Sequence, residues 1–165
     1  MANKQSFTPE EWTKILESVM LAGMAVSAAE PSGLWGLLKE GVASSSALAA
    51  AKSDPGSSEL IKAVVAEYET SEGRSSVQEA LRKRFSGAKP ADVVQRSLEN
   101  LREVSGILAA KAPGDAPGFK AWLNTISEKV AEASSEGGFL GIGGVKVSAT
   151  LADISKALEM STSSL

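Results

Sequence analysis

The chain has 165 residues, no cysteine, no histidine and a net charge of −3 from 17 basic and 20 acidic residues. These absences exclude disulfides, thiolate catalysis, structural zinc, Ser-His nucleophiles and His-ligated metals, and the acidic balance gives no electrostatic footprint for nucleic acid. The length fits one domain over 1–165, and the low aromatic share, 5% against 43% hydrophobic with abundant Ala, Ser and Gly, favours helices that approach one another closely.

The N-terminus, MANKQSFTPEEW, lacks the apolar core of a signal peptide. No apolar run approaches the ~20 residues of a membrane span, so no transmembrane segment is predicted and a cytoplasmic location is expected. Residues 1–7 are expected to fray, as are 160–165 at the other end. Thr8, Pro9 and Glu11 form a capping box with proline at the first helical position. Trp12, Ile15, Leu16, Val19, Ala22 and Val26 then recur at helical spacing to about Ala29, where Glu30, Pro31, Ser32 and Gly33 stop the helix.

The next stretch, LWGLLKEGVASSSALAAAK, reads as helical but interrupted near Gly41 to Ser45, because serines compete for backbone hydrogen bonds. Pro55-Gly56 marks a turn, and a helix over 58–70 buries Leu60, Ile61, Val64, Val65 and Tyr68. Gly73 is expected to break it, with Ser75 or Ser76 capping a short helix through Phe85 and Gly87 ending that one. Pro90 opens the most regular helix, with a stripe of Val94, Leu98, Leu101, Val104 or Ser105, and Leu108, ending near Ala112 and Pro113. Phe119, Trp122, Leu123, Ile126, Val130 and Ala133 define another, and Ser148 caps a last one burying Leu151, Ile154 and Leu158. Only Val145-Lys146-Val147 alternates with period two. The fold class is therefore all-α, a compact bundle of about seven helices with antiparallel neighbours.

Between the last two helices lies SSEGGFLGIGGVKVS (134–148), an apolar glycine-rich connector where surface loops are ordinarily polar. Its glycines fit neither GxGxxG nor GxxxxGK followed by Ser or Thr, which argues against a nucleotide and leaves a structural loop, with Phe139, Leu140 and Ile142 filling the core, as the alternative to a binding loop. A faint echo sits 104 residues earlier: Val26 aligns with Val130, Ala29 with Ala133 and Gly33 with Gly137, and after one insertion Gly36 aligns with Gly141 and Val42 with Val147. The pattern fits either a pseudo-twofold repeat of helix-loop-helix units over 26–48 and 130–152, with Trp35 and Phe139 in related places, or two loops that independently tuck apolar residues under the bundle.

Among the charged residues, Arg82, Lys83 and Arg84 read as a solvated helix face. Glu67, Glu69 and Glu72 read as a wet acidic surface, and the serine clusters lack a base. Glu128, Glu132 and Glu136 stack on one face of a continuous helix, which reads as a solvated face beside Lys129 or, with a cation among them, as an oxygen-only set that would suit calcium or magnesium.

The C-terminal stretch VAEASSEGGFLGIGGVKVSATLADISKAL resembles the tellurite-resistance TerB-like families. Glu136-Gly137 stands for an Asp-Gly helix end there, and Val147-Ser148 for the next helix start. VSAAEPSG at 26–33 would be a second such element. The connector is longer and richer in glycine than the family's, and Leu151 replaces the Glu expected three residues after the capping serine. The texture is also similar to that of small bacterial helical proteins, which implies no activity. The TerB-like resemblance implies a helical fold and a divalent-cation module on Glu30, Glu132 and Glu136.

The residues themselves favour a non-enzymatic interaction domain that contacts a protein partner or a second copy through Trp35, Phe139 and Leu140. No catalytic residue or resident cofactor is assigned. An enzyme relying on Glu or Lys is the third expectation.

Overall fold

The computed structural model describes residues 3–29, 42–54, 56–136 and 144–159, with side chains over 3–26, 48–54, 56–89, 91–130 and 149–158. A 3-10 turn, Lys4–Ser6, precedes helices α1 (Pro9–Ala29), α2 (Val42–Ser53), α3 (Glu59–Glu69), α4 (Ser71–Arg84), α5 (Pro90–Lys111), α6 (Ala116–Glu136) and α7 (Gly144–Glu159). The described residues contain no strand, so the fold is an all-α bundle. None of these helices is long and apolar enough to cross a membrane.

Local chemistry sets the helix starts. Glu11 N donates to Thr8 Oγ1 at 3.2 Å and Thr8 N to Glu11 Oε1 at 2.9 Å, which closes the capping box of α1. Phe7, just before the cap, stacks on Trp12 with ring centroids 6.1 Å apart and fixes the entry angle of the chain. This packing, with the 3-10 turn before it, lies within the N-terminal stretch expected to fray. Ser58 Oγ caps α3 through Ile61 N, and the Asp92 carboxylate accepts from Lys89 N ahead of Pro90 to open α5.

Helix directions follow from the cross-links. Along α1, Glu11 pairs with Lys111 and Lys14 with Glu103 (2.8 Å), and the Lys14 carbonyl accepts from Asn100 Nδ2 (3.3 Å), so α5 runs antiparallel to α1. The chain leaves α5 beside Glu11, starts α6 within five residues of Lys111, and brings Ser127 Oγ within 3.1 Å of the Ala22 carbonyl. Thus α6 lies alongside α1 in the same direction. α7 returns along α6, with Ser155 Oγ 3.2 Å from Asn124 Oδ1 and its end held by Ser105 Oγ to the Leu158 carbonyl at 2.8 Å.

The core follows from these faces. Ile15, Leu16 and Val19 of α1 meet Leu101 and Leu108 of α5, Phe119, Leu123 and Ile126 of α6, and Ile154 and Leu158 of α7 in one cluster. Ser18, Ser97, Ser105 and Ser127 are fully buried in helices of this bundle, small side chains that let backbones close up. That accounts for a core built with few aromatics.

Three helix boundaries differ from expectation. Gly73 does not break the chain: Thr70 ends α3 and at once caps α4, its Oγ1 accepting from Gly73 N at 2.9 Å. A Cβ on Gly73 would lie 2.1 Å from the Glu67 carbonyl oxygen, so glycine permits a tight corner. Arg74 Nη1 donates to the Tyr68 and Glu69 carbonyls, each at 3.1 Å, and satisfies acceptors left open at the end of α3. Second, α7 begins at Gly144, so Ser148 is not its cap and Val145-Lys146-Val147 is helical. Val147 continues the Leu151, Ile154 and Leu158 spacing back by one turn, which extends the helical period through the alternating triplet. Third, α2 is helical from Val42 onward, so Ser44 and Ser45 do not interrupt it, with Ala47 to Ala51 supplying strong helix formers.

Candidate functional site

Of the six residues singled out as binding groups, Glu30, Trp35, Phe139 and Leu140 lie outside the described residues. Glu132 and Glu136 sit on the last turns of α6, which continues unbroken to Glu136 and so keeps them four apart in register with exposed Glu128. The echo compared two units, α1 with α2 and α6 with α7. Helices α1 and α6 each have 21 residues, and the matched Val26 and Val130 are both buried. The connectors of the echo, 30–41 and 137–143, are not among the described residues.

Several of the described acidic groups are paired with cations of other helices. Glu67 pairs with Lys4 at 3.0 Å and Glu69 with Lys52 at 2.5 Å, which splits the acidic group around Tyr68 between two partners. No cluster of three or more acidic side chains disposed to hold a metal occurs among the described residues. Ser57 Oγ donates to the Ala51 carbonyl at 2.8 Å and Ser58 caps α3, so these hydroxyls are used by the fold.

The basic run does not form a uniform solvated face. Lys83 reaches Glu79 at 3.6 Å on the surface, but Arg84 turns inward and its Nε meets Glu17 Oε2 at 2.6 Å, with only 5% of the Glu17 side chain exposed. Beside this pair the Tyr68 hydroxyl donates to the Leu16 carbonyl. Burial first, and then the Glu17 charge, push that hydroxyl well above the usual tyrosine value. On the facing side of α5, Ser97 Oγ and Asn100 Oδ1 are buried without a hydrogen-bond partner. Sequence reasoning missed this cluster. Its members are 67 residues apart at the ion pair, and no local spacing links Glu17 to Arg84.

A half-open groove of about 340 Å³ lies where the end of α2 and the start of α3 meet α6. Its floor is Gly118, Ala121, Trp122 and Thr125, and Asp54 and Lys129 stand at its polar edge. Trp122 is partly buried and meets Phe119 edge-on, ring centroids 5.6 Å apart. Asp54 already accepts from Gly56 N at 2.9 Å, and Thr125 Oγ1 donates to the Ala121 carbonyl at 3.0 Å, so few polar groups remain to orient a ligand there. No family model matches the chain, and neither a curated protein nor a solved structure does.

Proposed function

We propose that this chain is a non-enzymatic helical interaction domain, cytoplasmic in location, that contacts a protein partner or a second copy of itself through its two apolar glycine-rich connectors. The observation that carries the reading is the shared direction of α1 and α6, whose C-terminal ends therefore leave the bundle at the same end. Each of those helices is followed in sequence by an aromatic-apolar stretch, LWGLL at 34–38 and GFLGIGG at 138–144. The proposed contact joins these two stretches into one composite apolar surface, with Trp35, Phe139 and Leu140 as its anchors.

A second reading, the TerB-like cation module, draws support from the unbroken run of α6 to Glu136. Glu132 and Glu136 then lie one turn apart, at the end of the bundle where α1 also finishes at Ala29, and Glu30 is the proposed third ligand. Calcium or magnesium would suit such oxygen ligands.

Substitution separates a contact from a core. Trp35→Ser and Phe139→Ser, examined by native mass spectrometry and thermal unfolding, are expected to abolish the assembled mass while leaving the melting temperature within a few degrees. Were these side chains core instead, each truncation would cost about 3–5 kcal/mol and lower the melting temperature by roughly 10 °C. That result, with the mass unchanged, would overturn the proposal. The same spectra, recorded with added calcium or magnesium, test the cation module by the mass of a bound ion.

A further inference from the structure

Helix α4 is attached differently from its neighbours. Of its 14 residues only Gly73 and Val77 are buried, with Ala80, Leu81 and Arg84 partly so. By contrast α3, with 11 residues, buries Leu60, Ile61, Val64 and Val65. α4 packs chiefly on α1 and α3, and much of its hold is polar. Arg84 reaches Glu17 of α1 at 2.6 Å, and Arg96 of α5 donates to the Arg84 carbonyl, also at 2.6 Å. Undocking returns both charged groups of the pair to water, and their hydration offsets the attraction that is lost; an apolar seam has no such compensation. Both ends have a pivot. Thr70 alone, in extended conformation, separates α4 from α3, and after Phe85 the chain turns through Gly87 at φ +70°. A segment with few buried apolar contacts and a pivot at each end is the kind that opens locally.

We propose that α4 is a strap that undocks from α1 and redocks as a unit while the other helices stay folded, with the Glu17–Arg84 pair as its latch. Opening bares the Glu17 carboxylate and the apolar surface around Val77, both of which are buried when the strap is closed.

Hydrogen exchange of the intact protein, read by mass spectrometry, tests this. Peptides from 71–84 are expected to exchange ~10-fold or more faster than those from the cores of α1 and α5. Glu17→Gln leaves the Arg84 cation without its counter-ion and speeds exchange in α4 by a further ~10-fold or more, with α5 and α6 unchanged. Should that variant fail to fold, the double substitution Glu17→Met, Arg84→Met still reads the latch. It replaces the pair with apolar groups and is expected to slow exchange in 71–84 below the wild-type rate. Exchange of α4 in step with α1 and α5 in the wild type would overturn the proposal. So would a double variant whose α4 exchanges no more slowly than the wild type, or a Glu17→Gln protein in which every helix accelerates equally.

Discussion

Tyr68 ties α3 to α1 through one hydroxyl, which donates to the Leu16 carbonyl next to the buried Glu17. Because burial and the Glu17 charge raise its pKa, the folded protein keeps this proton at a pH where the unfolded chain has lost it. The folded state then binds more protons than the unfolded state, so the contribution of Tyr68 to stability is full below pH ~10 and declines as pH rises beyond it. Lys120 works in the opposite sense, since burial lowers its pKa, but it is common to wild type and variant. Urea midpoints measured from pH 8 to 11 should therefore fall less steeply for Tyr68→Phe than for the wild type. At neutral pH the variant should lose about 1 kcal/mol with the hydrogen bond. The inward face of Tyr68 was legible in the sequence from its helical spacing, but its partners were not. Glu17 lies next to the α1 stripe rather than on it, and Arg84 sits in a run of three cations that reads as a solvated surface.

Elements were legible where capping and periodicity agreed. Thr8 with Glu11 and Pro90 with its stripe place the starts of α1 and α5 correctly, because the chemistry of those ends is local. The corner between α3 and α4 was not legible, because Gly73 lowers helix propensity and its reason for being there is a close approach to Glu67, visible only in three dimensions. A pair of alanine substitutions measures the difference. Gly73→Ala sets a methyl 2.1 Å from the Glu67 carbonyl oxygen and should destabilise the protein by about 2 kcal/mol or more in urea unfolding. Gly106→Ala, on an exposed turn of α5 with nothing within 4 Å, should stabilise it by about 0.5–1 kcal/mol. Equal effects of the two would mean that the corner is not as tight as described.

At the scale of the whole molecule, the all-α class was evident from periodicity, while the direction in which the helices lie was not. That direction rests on contacts such as Ser127 with Ala22, between residues 105 apart. It gives the two 21-residue helices a common heading and sets their C-terminal ends at the same end of the bundle. The proposed contact surface depends on that heading. The absence of native cysteine makes it directly measurable with spin labels at Glu10→Cys and Gly118→Cys, two exposed positions near the starts of α1 and α6. If the helices run in the same direction, electron–electron distance measurement should give a narrow distribution below about 25 Å, since the two sites lie nearly level along the helix axes. An antiparallel arrangement through the same Ser127–Ala22 contact would separate them by about 30 Å along the axis alone. A distribution centred beyond about 35 Å would therefore contradict the shared direction of α1 and α6, and with it the composite surface at their ends.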